Sequence, residues 1–428
     1  MKRQLDLMDA YMWYTSLRRQ IAFILVARMR GPVPVDRLAD ALARLEVRYP
    51  LLRARVSQEG RAAHYITDDV PPVPVRVAER LTDDAWLTEA AADMSRPFPL
   101  ATGPLTRLTV LRADGGADLL LNCHHAIGDG LSALYALRDL MRLLGTPEAV
   151  LEPLPELPRI LEMAPPQVIA RLAQLTPAGW QALLGMGEAG PSQWTSQVGP
   201  APDITSESPL HLLAWSLTGR QTVALVARSR EEGTSVHSAL GAAFMRASGE
   251  VEGQGRWERT ILNPVDIRSR LVVPVGEAFQ NFFAGEFAGA NCAPDRDLWE
   301  VARDLRAALA EVARDERLFG EGLAFQQVLD HLPEGASMDH SALQQRQYDL
   351  SLSNLGRVDV PTRYGALHLD ALYGPVINGF ERERGLGVIT CDGVMRLVYA
   401  FREAALAREE AARIRDRAMY WLGQAVGW

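Results

Sequence analysis

The residues best equipped for chemistry sit in one run, Asn122-Cys123-His124-His125-Ala126-Ile127-Gly128-Asp129-Gly130, which closes an apolar segment and opens an apolar-periodic one. A neutral imidazole takes a proton from an alcohol or amine near pH 7, because its ordinary pKa lies close to that value. Side chains alternate along a strand, so Leu121, Cys123 and His125 are expected on one face and Asn122 and His124 on the other. Only one of the two histidines can then face a given cavity, and His125 is the candidate general base, with His124 in support. Asp129 lies between two glycines where a helix should begin. There its carboxylate caps backbone N–H groups and anchors the loop that carries His125. Spacing alone leaves three readings open: a base with an orienting carboxylate, a satisfied strand-end pair, or a metal site. The metal reading is the weakest, since adjacent strand histidines diverge and no second His- or Cys-rich element supplies ligands.

Two further runs end apolar segments with polar groups. In Asn263-Pro264-Val265-Asp266-Ile267-Arg268-Ser269-Arg270, either Asp266 and Arg268 pair locally in a solvated turn, or Arg268 reaches a carboxylate of another lobe, Asp129 first, by bidentate contact. Ser353-Asn354-Leu355-Gly356 offers small donors and a glycine allowing close backbone approach, either for a developing oxyanion or as a plain turn.

The elements that must position these groups can be read from periodicity. Gln20 to Met29 reads as a buried strand, Val35 to Leu45 as a helix, and Ala85 to Met94 as another. Leu105 to Leu111 and Asp118 to Cys123 form a hairpin across Ala113-Asp114-Gly115-Gly116. From Leu131 to Leu144 apolar residues recur every three or four positions, which predicts a helix opening at the motif. Residues 151–208 are rich in Pro and Gly and read as a connection between lobes, with a helical island over Gln167 to Leu184. Its Ile169, Leu172, Leu175, Trp180 and Leu184 suit either an acyl channel or the core of a linker helix. The second lobe, 209–428, alternates strands and helices: Leu210 to Ser216, Thr260 to Val265, Ala284 to Phe287, Leu350 to Ser353, Leu367 to Tyr373, and the Asp392-Gly393 hairpin of Gly387 to Cys391 with Met395 to Phe401. Helices are expected over Gln221 to Arg230, Ser235 to Ala247, Asp297 to Val312 and Arg402 to Leu422.

Composition narrows the chemistry. The 428 residues suffice for two cores, and a net charge of -8 without like-charge blocks indicates neither nucleic acid nor an anionic membrane as partner. Lys2 is the sole lysine, which excludes a P-loop, a protein kinase and a pyridoxal Schiff base. Cys123, Cys292 and Cys391 stand singly, so no disulfide framework or cysteine zinc site is expected and a reducing cytoplasm fits. No apolar run approaches the ~20 residues of a membrane span. G-x-S-x-G is absent, and so is a strand-borne G-x-G-x-x-G.

His124-His125-Ala126-Ile127-Gly128-Asp129-Gly130 resembles the H-H-x-x-x-D-G signature of the chloramphenicol acetyltransferase-like superfamily, which includes peptide condensation domains and polyketide-associated acyltransferases. Leu38 to Val56 and Arg96-Pro97-Phe98-Pro99-Leu100 with Gly103-Pro104-Leu105 resemble its opening segments in order, and Asn263 to Arg268 and Ser353 to Gly356 resemble the second-lobe motifs of its stand-alone acyltransferases, especially the phthiocerol dimycocerosyl transferase type. The D-F-G-W-G motif of the plant branch is absent. The resemblance implies an α/β fold of two lobes in a V with a substrate tunnel between them, residues 1–150 forming the first. It implies an acyltransferase whose His125 deprotonates an acceptor hydroxyl or amine for direct attack on a pantetheine thioester, acyl-CoA or an acyl carrier protein, with no bound cofactor or metal. Asp129 is then structural, Asp266 and Arg268 interlobe or structural, and Gly130, Ser353 and Asn354 substrate-binding; the acceptor is a small molecule or lipid. The competing class is a non-catalytic module of the same fold that binds a carrier protein or acyl ligand.

Overall fold

The computed structural model describes residues 1–17, 21–59, 62–184, 196–198, 208–253, 255–331, 336–338, 348–378 and 384–428. Two six-stranded sheets dominate, one for each lobe. The first contains β1 (Ala22–Arg30), β2 (Val75–Glu79), β3 (Thr106–Ala113) and β4 (Gly116–His124). The second contains β5 (Leu210–Leu217), β6 (Glu258–Asp266), β7 (Phe283–Asn291), β8 (Leu350–Arg357), β11 (Arg384–Cys391) and β12 (Val394–Arg402). Between β8 and β11 the chain makes β9 (Arg363–Tyr364) and β10 (Leu367–Asn378), and these complete the first sheet, in the order β9-β10-β1-β4-β3-β2. The second sheet runs β7-β6-β8-β11-β12-β5. Leu367 to Tyr373, grouped by sequence with the second lobe, therefore pairs antiparallel with β1 of the first. Periodicity detects that such a segment is a strand but not which edge it finds, because pairing partners lie hundreds of residues away.

The helices follow from their apolar stripes. They are α1 (Leu7–Ser16), α2 (Leu38–Arg48), α3 (Ala85–Ser95) and α4 (Gly130–Gly145) in the first lobe, then α5 (Gly219–Glu231), α6 (Val236–Glu252), α7 (Leu298–Val312), α8 (Asp315–His331) and α9 (Arg408–Val426). Along β4, Leu119, Leu121 and Cys123 join the core under α2 and α4. Leu120 faces the opposite way into a smaller core with Trp86 and Met94 of α3, Val376 of β10, and Leu212, Val398 and Ala400 of the second sheet. That apolar layer joins the lobes, and α6, α7 and α9 cover the second sheet with a core of their own.

In the connection, Pro166–Leu172 and Pro177–Leu184 are short helices. Leu172, Ile169, Leu175 and Trp180 pack with Ile267, Phe282 and Phe319 and do not line the main cavity, so for these four the core reading holds; the Leu184 side chain lies outside the described residues. The helix expected from Arg402 starts at Arg408, because β12 runs to Arg402 and a turn follows. Among the described residues no helix is long and apolar enough to cross a membrane.

Candidate active site

β4 ends at His124, so His125 is in the turn leading to α4 and not on the strand. The alternation argument stops one residue short of it. The ladder no longer holds His125, and two other bonds do: its N–H donates to the Ile21 carbonyl at 2.9 Å, and its carbonyl accepts from Asn281 Nδ2 at 2.7 Å. Its ring lies between Phe23 and Phe283, at centroid distances of 4.8 and 5.4 Å. Burial pushes the imidazole below the usual histidine range, while its own carbonyl and the Asp129 charge pull the other way. Among the described residues the buried Nδ1 has no hydrogen-bond partner.

His124 points elsewhere. It packs against Trp13 and Phe98, with centroids 6.2 and 5.8 Å away, and its Nδ1 accepts the Ala126 N–H at 3.1 Å. Burial first, then His125 and Arg107, push its pKa down to about 3. It is a neutral part of the turn, and only His125 of the pair lines the main cavity.

Asp129 caps α4, its Oδ1 accepting the Ser132 N–H at 2.9 Å. Oδ2 accepts the Phe282 N–H at 2.9 Å, and Arg268 Nη2 donates to Oδ1 at 2.8 Å, both from the second lobe. Burial alone would raise this carboxyl; Arg268 and the backbone donors outweigh it and hold the pKa below the usual range. The Arg268 contact is not bidentate. One nitrogen serves Asp129 and Ser132 Oγ, the latter at 3.0 Å, and the other serves Asp266 at 3.0 Å. Burial opposes the Arg268 charge, but the two carboxylates outweigh it and raise its pKa.

The docking segment runs through Glu277 to Phe282, just before β7. Glu277 takes Arg138 and Arg48 of the first lobe at 2.6 to 2.7 Å, and Arg138 first among them lowers its pKa to about 2. Phe279 fills the space over Gly128, where a Cβ would sit 2.7 Å from its ring. The Gln280 carbonyl accepts from Ser132 Oγ at 2.8 Å. Asn281 joins Asp9 to His125, and Phe282 meets Asp129. The first glycine of the motif is thus required by a residue of the other lobe.

A cavity of about 390 Å³ opens at His125 and is lined from both lobes. Asp129, Gly130, Asp266, Arg268, Ser353 and Asn354 all border it. Asn354 commits its oxygen to the Gly356 N–H at 2.8 Å, so what it can offer a substrate is its amide N–H. A Cβ at Gly130 would stand 3.1 Å from Pro375, which is how closely β10 approaches the start of α4. The remaining wall is mainly apolar, from Leu7, Met8 and Met12 of α1 to Phe319, Ala324 and Phe325 of α8. Among the described residues no group of three or more His, Cys, Asp or Glu could hold a metal ion.

Sequence reasoning missed Asp9, Tyr65, Ser132, Glu277 and Asn281. Asp9 carried a usable signal, a charged residue inside Leu7-Met8-Asp9-Ala10-Tyr11-Met12-Trp13. Asn281 carried one too, sitting within a run of phenylalanines.

Two lobes that share a cleft, with an imidazole on its wall and an aspartate–arginine pair tying them together, define a condensation-type α/β fold. Residues 12–148 match the family described as Condensation domain, and residues 207–384 match Phthiocerol/phthiodiolone dimycocerosyl transferase C-terminus. The chain is thus similar to both families, to the one over residues 12–148 and to the other over residues 207–384. Phosphinothricin tripeptide synthetase PhsC of Streptomyces viridochromogenes is 37% identical over 139 residues, 30% of this chain but 13% of that protein. Only 4% of the linear gramicidin synthase subunits D and C of Brevibacillus parabrevis is matched. The phthiocerol/phthiodiolone dimycocerosyl transferase of Mycobacterium tuberculosis is 23% identical over 72% of this chain and 73% of its own length. Among solved structures, polyketide synthase associated protein 5 of M. tuberculosis superposes with a TM-score of 0.65 at 17% identity, covering 99% of this chain and 98% of that one. The first condensation domain of the calcium-dependent antibiotic synthetase gives 0.73 at 14% identity, covering 100% and 97%. These two likenesses carry the fold.

Proposed function

We propose that this protein is an acyltransferase that moves an acyl group from a pantetheine thioester, on coenzyme A or an acyl carrier protein, to the hydroxyl or amine of a small-molecule or lipid acceptor. The observation that carries the reading is His125: a neutral imidazole bordering a two-lobed cavity that Ser353 and Asn354 also border. His125 takes the acceptor's proton as the acceptor oxygen or nitrogen attacks the thioester carbonyl. The tetrahedral oxyanion draws on Ser353 or the Asn354 amide. When the carbonyl re-forms, the C–S bond breaks and the imidazolium returns its proton to the leaving thiolate. General-base assistance of this kind contributes about 10²–10⁴ in rate, and holding both substrates in one cavity supplies much of the remainder. Asp129 and Arg268 keep the lobes closed on the motif and touch no reacting atom.

The test is thiol release from acyl-coenzyme A donors of graded length, with pooled alcohols and amines, products identified by mass spectrometry, and His125→Ala alongside. His125-dependent release with a new ester or amide is expected. If neither coenzyme A nor carrier-loaded donors react with folded protein, the reading falls and a non-catalytic acyl- or carrier-binding module replaces it.

A further inference from the structure

His125 stands beyond the last rung of its strand, yet both polar groups of its peptide unit are tied. The N–H is held from within the first lobe by Ile21, and the carbonyl from the second lobe by Asn281. Asn281 has two side-chain N–H donors and spends both, one on His125 O at 2.7 Å and one on Asp9 Oδ1 at 2.8 Å. Its backbone N–H leans on the same Asp9 oxygen at 3.3 Å. Two acceptors facing one amide nitrogen fix which way the amide points, since the flipped form would set oxygen against oxygen twice. Asp9 is fully buried in α1, and among the described residues its second oxygen has no hydrogen-bond partner.

We propose that Asn281 and Asp9 are positioning residues for His125: the second lobe sets the orientation of the base through a side-chain relay whose essential feature is the Asp9 acceptor oxygen, not a negative charge. The inference rests on the reading of His125 as the base. The surroundings of Asp9 agree with it. Burial first, then the neighbouring Asp6, the N-cap of α1, push its carboxyl up to about 7 against the pull of Arg3, Asn281 and Tyr65. Near neutral pH it therefore carries a proton much of the time, and a proton on Oδ2 leaves Oδ1 free to accept. Tyr65, whose own ionisation burial suppresses, closes the far side by donating to the Ala126 carbonyl.

The relay makes the effect of each substitution specific. Asn281→Ala should lower kcat by up to about 100-fold, the cost of displacing a catalytic group by about 1 Å, with KM nearly unchanged. Asp9→Ala should do the same, and Asp9→Asn, which keeps the acceptor and loses the charge, should recover most of kcat. Wild-type kcat in Asn281→Ala, or equal loss in Asp9→Asn and Asp9→Ala, would overturn the proposal. Should the alanine variant fail to fold, Asn281→Ser, which has one donor instead of two, takes its place with the same expectation. Independently of turnover, the ¹³C-labelled His125 ring resonance should move in Asn281→Ala while that of half-buried His211 stays fixed. An unmoved His125 resonance sinks the relay whatever the assay shows. A shifted resonance in a protein with no acyl transfer would remove the base and keep the relay.

Discussion

Each lobe contains the same local construction, and of the two copies only the first borders the cavity at His125. In the first, β3 and β4 are joined by Asp114-Gly115, and β4 leads through His125 to Asp129 into α4. In the second, β11 and β12 are joined by Asp392-Gly393, and β12 leads through Glu403 to Ala407, a turn of equal length, into α9. Both hairpins pair a strand of 8 residues with one of 9. The turns begin alike: the His125 N–H donates to the residue just before β1, Ile21, and the Glu403 N–H donates to the residue just before β5, Pro209. His124 thus corresponds to Arg402, His125 to Glu403 and Asp129 to Ala407. The backbone frame is shared, so the frame alone does not make a site. What differs is the turn's side chains and what covers them. The first turn is roofed by Glu277 to Phe282 from the other lobe, whereas Glu403 is exposed and its His211 contact is a long 3.5 Å.

The widest gap between the copies should appear in activity. His125→Ala is expected to cost about 10²–10⁴ in kcat/KM, the range for loss of a general base, with little change in melting temperature. Glu403→Ala should leave the rate untouched, since an exposed ion pair is worth at most about 1 kcal/mol even to stability. Acyl transfer in His125→Ala at the wild-type rate would remove the asymmetry.

Asp129 separates the copies by stability as well. Asp129→Ala removes the α4 cap and leaves the buried Arg268 charge one fewer carboxylate, with Asp266 and Ser132 Oγ still bonded to it, and breaking a buried pair by deleting one partner typically costs about 3–5 kcal/mol. Unfolding by denaturant should register a loss of that size together with lower activity. A loss no greater than that of an ordinary cap, about 1 kcal/mol, would mean the interlobe pair contributes nothing. A double-mutant cycle of Asp129→Ala with Arg268→Ala should show coupling.

Titration sharpens the contrast further. A general base at His125 would act in its neutral form, and burial lowers its pKa from 6.5. The pH–rate profile should therefore be flat at neutrality and fall, with one proton, only below pH 6.5. A midpoint at 7 or above would implicate another group. The same burial acts on stability. His124 folds neutral, so the stability it permits is whole above the unfolded pKa near 6.5 and declines as pH falls toward about 3, and His125, whose pKa burial also lowers, acts in the same sense. Asp9 works in the opposite sense: its folded pKa is raised, so its contribution is present at low pH and fades as pH rises toward 7. Asp9→Asn should abolish that second slope and leave the first.

How much of this was legible follows from the range of each interaction. The hairpin, the turn and the start of α4 are local, and Asp-Gly, the adjacent histidines and the glycine-flanked Asp129 announced them. The Arg268–Asp129 contact was also within reach, because a cationic cluster at one strand end and a carboxylate at another suggest one another. Its geometry was not, since Arg268 divides its nitrogens among Asp129, Ser132 and Asp266. The placement of β10 in the first sheet was invisible, and Asn281, though marked by its phenylalanine neighbours, gave no sign that it reaches His125. Each depends on where a distant segment lands, and nothing in a run such as Phe279-Gln280-Asn281-Phe282 states its destination.

The smallest expected effect runs in the other direction, by giving the inert copy one feature of the active one. Ala407 is the N-cap of α9 and makes no side-chain cap bond, while Asp129 at the matching place caps α4. If the frames are equivalent, Ala407→Ser should place a hydroxyl on an unsatisfied N–H of the first turn and add about 1 kcal/mol. Serine avoids the like charge that aspartate would bring near Glu409 and Glu410. A rise in unfolding free energy with unchanged acyl transfer would show that the cap is a helix device in both lobes, and that only the first lobe has joined it to a base. No gain would mean the Glu403 to Ala407 turn matches the other in length alone.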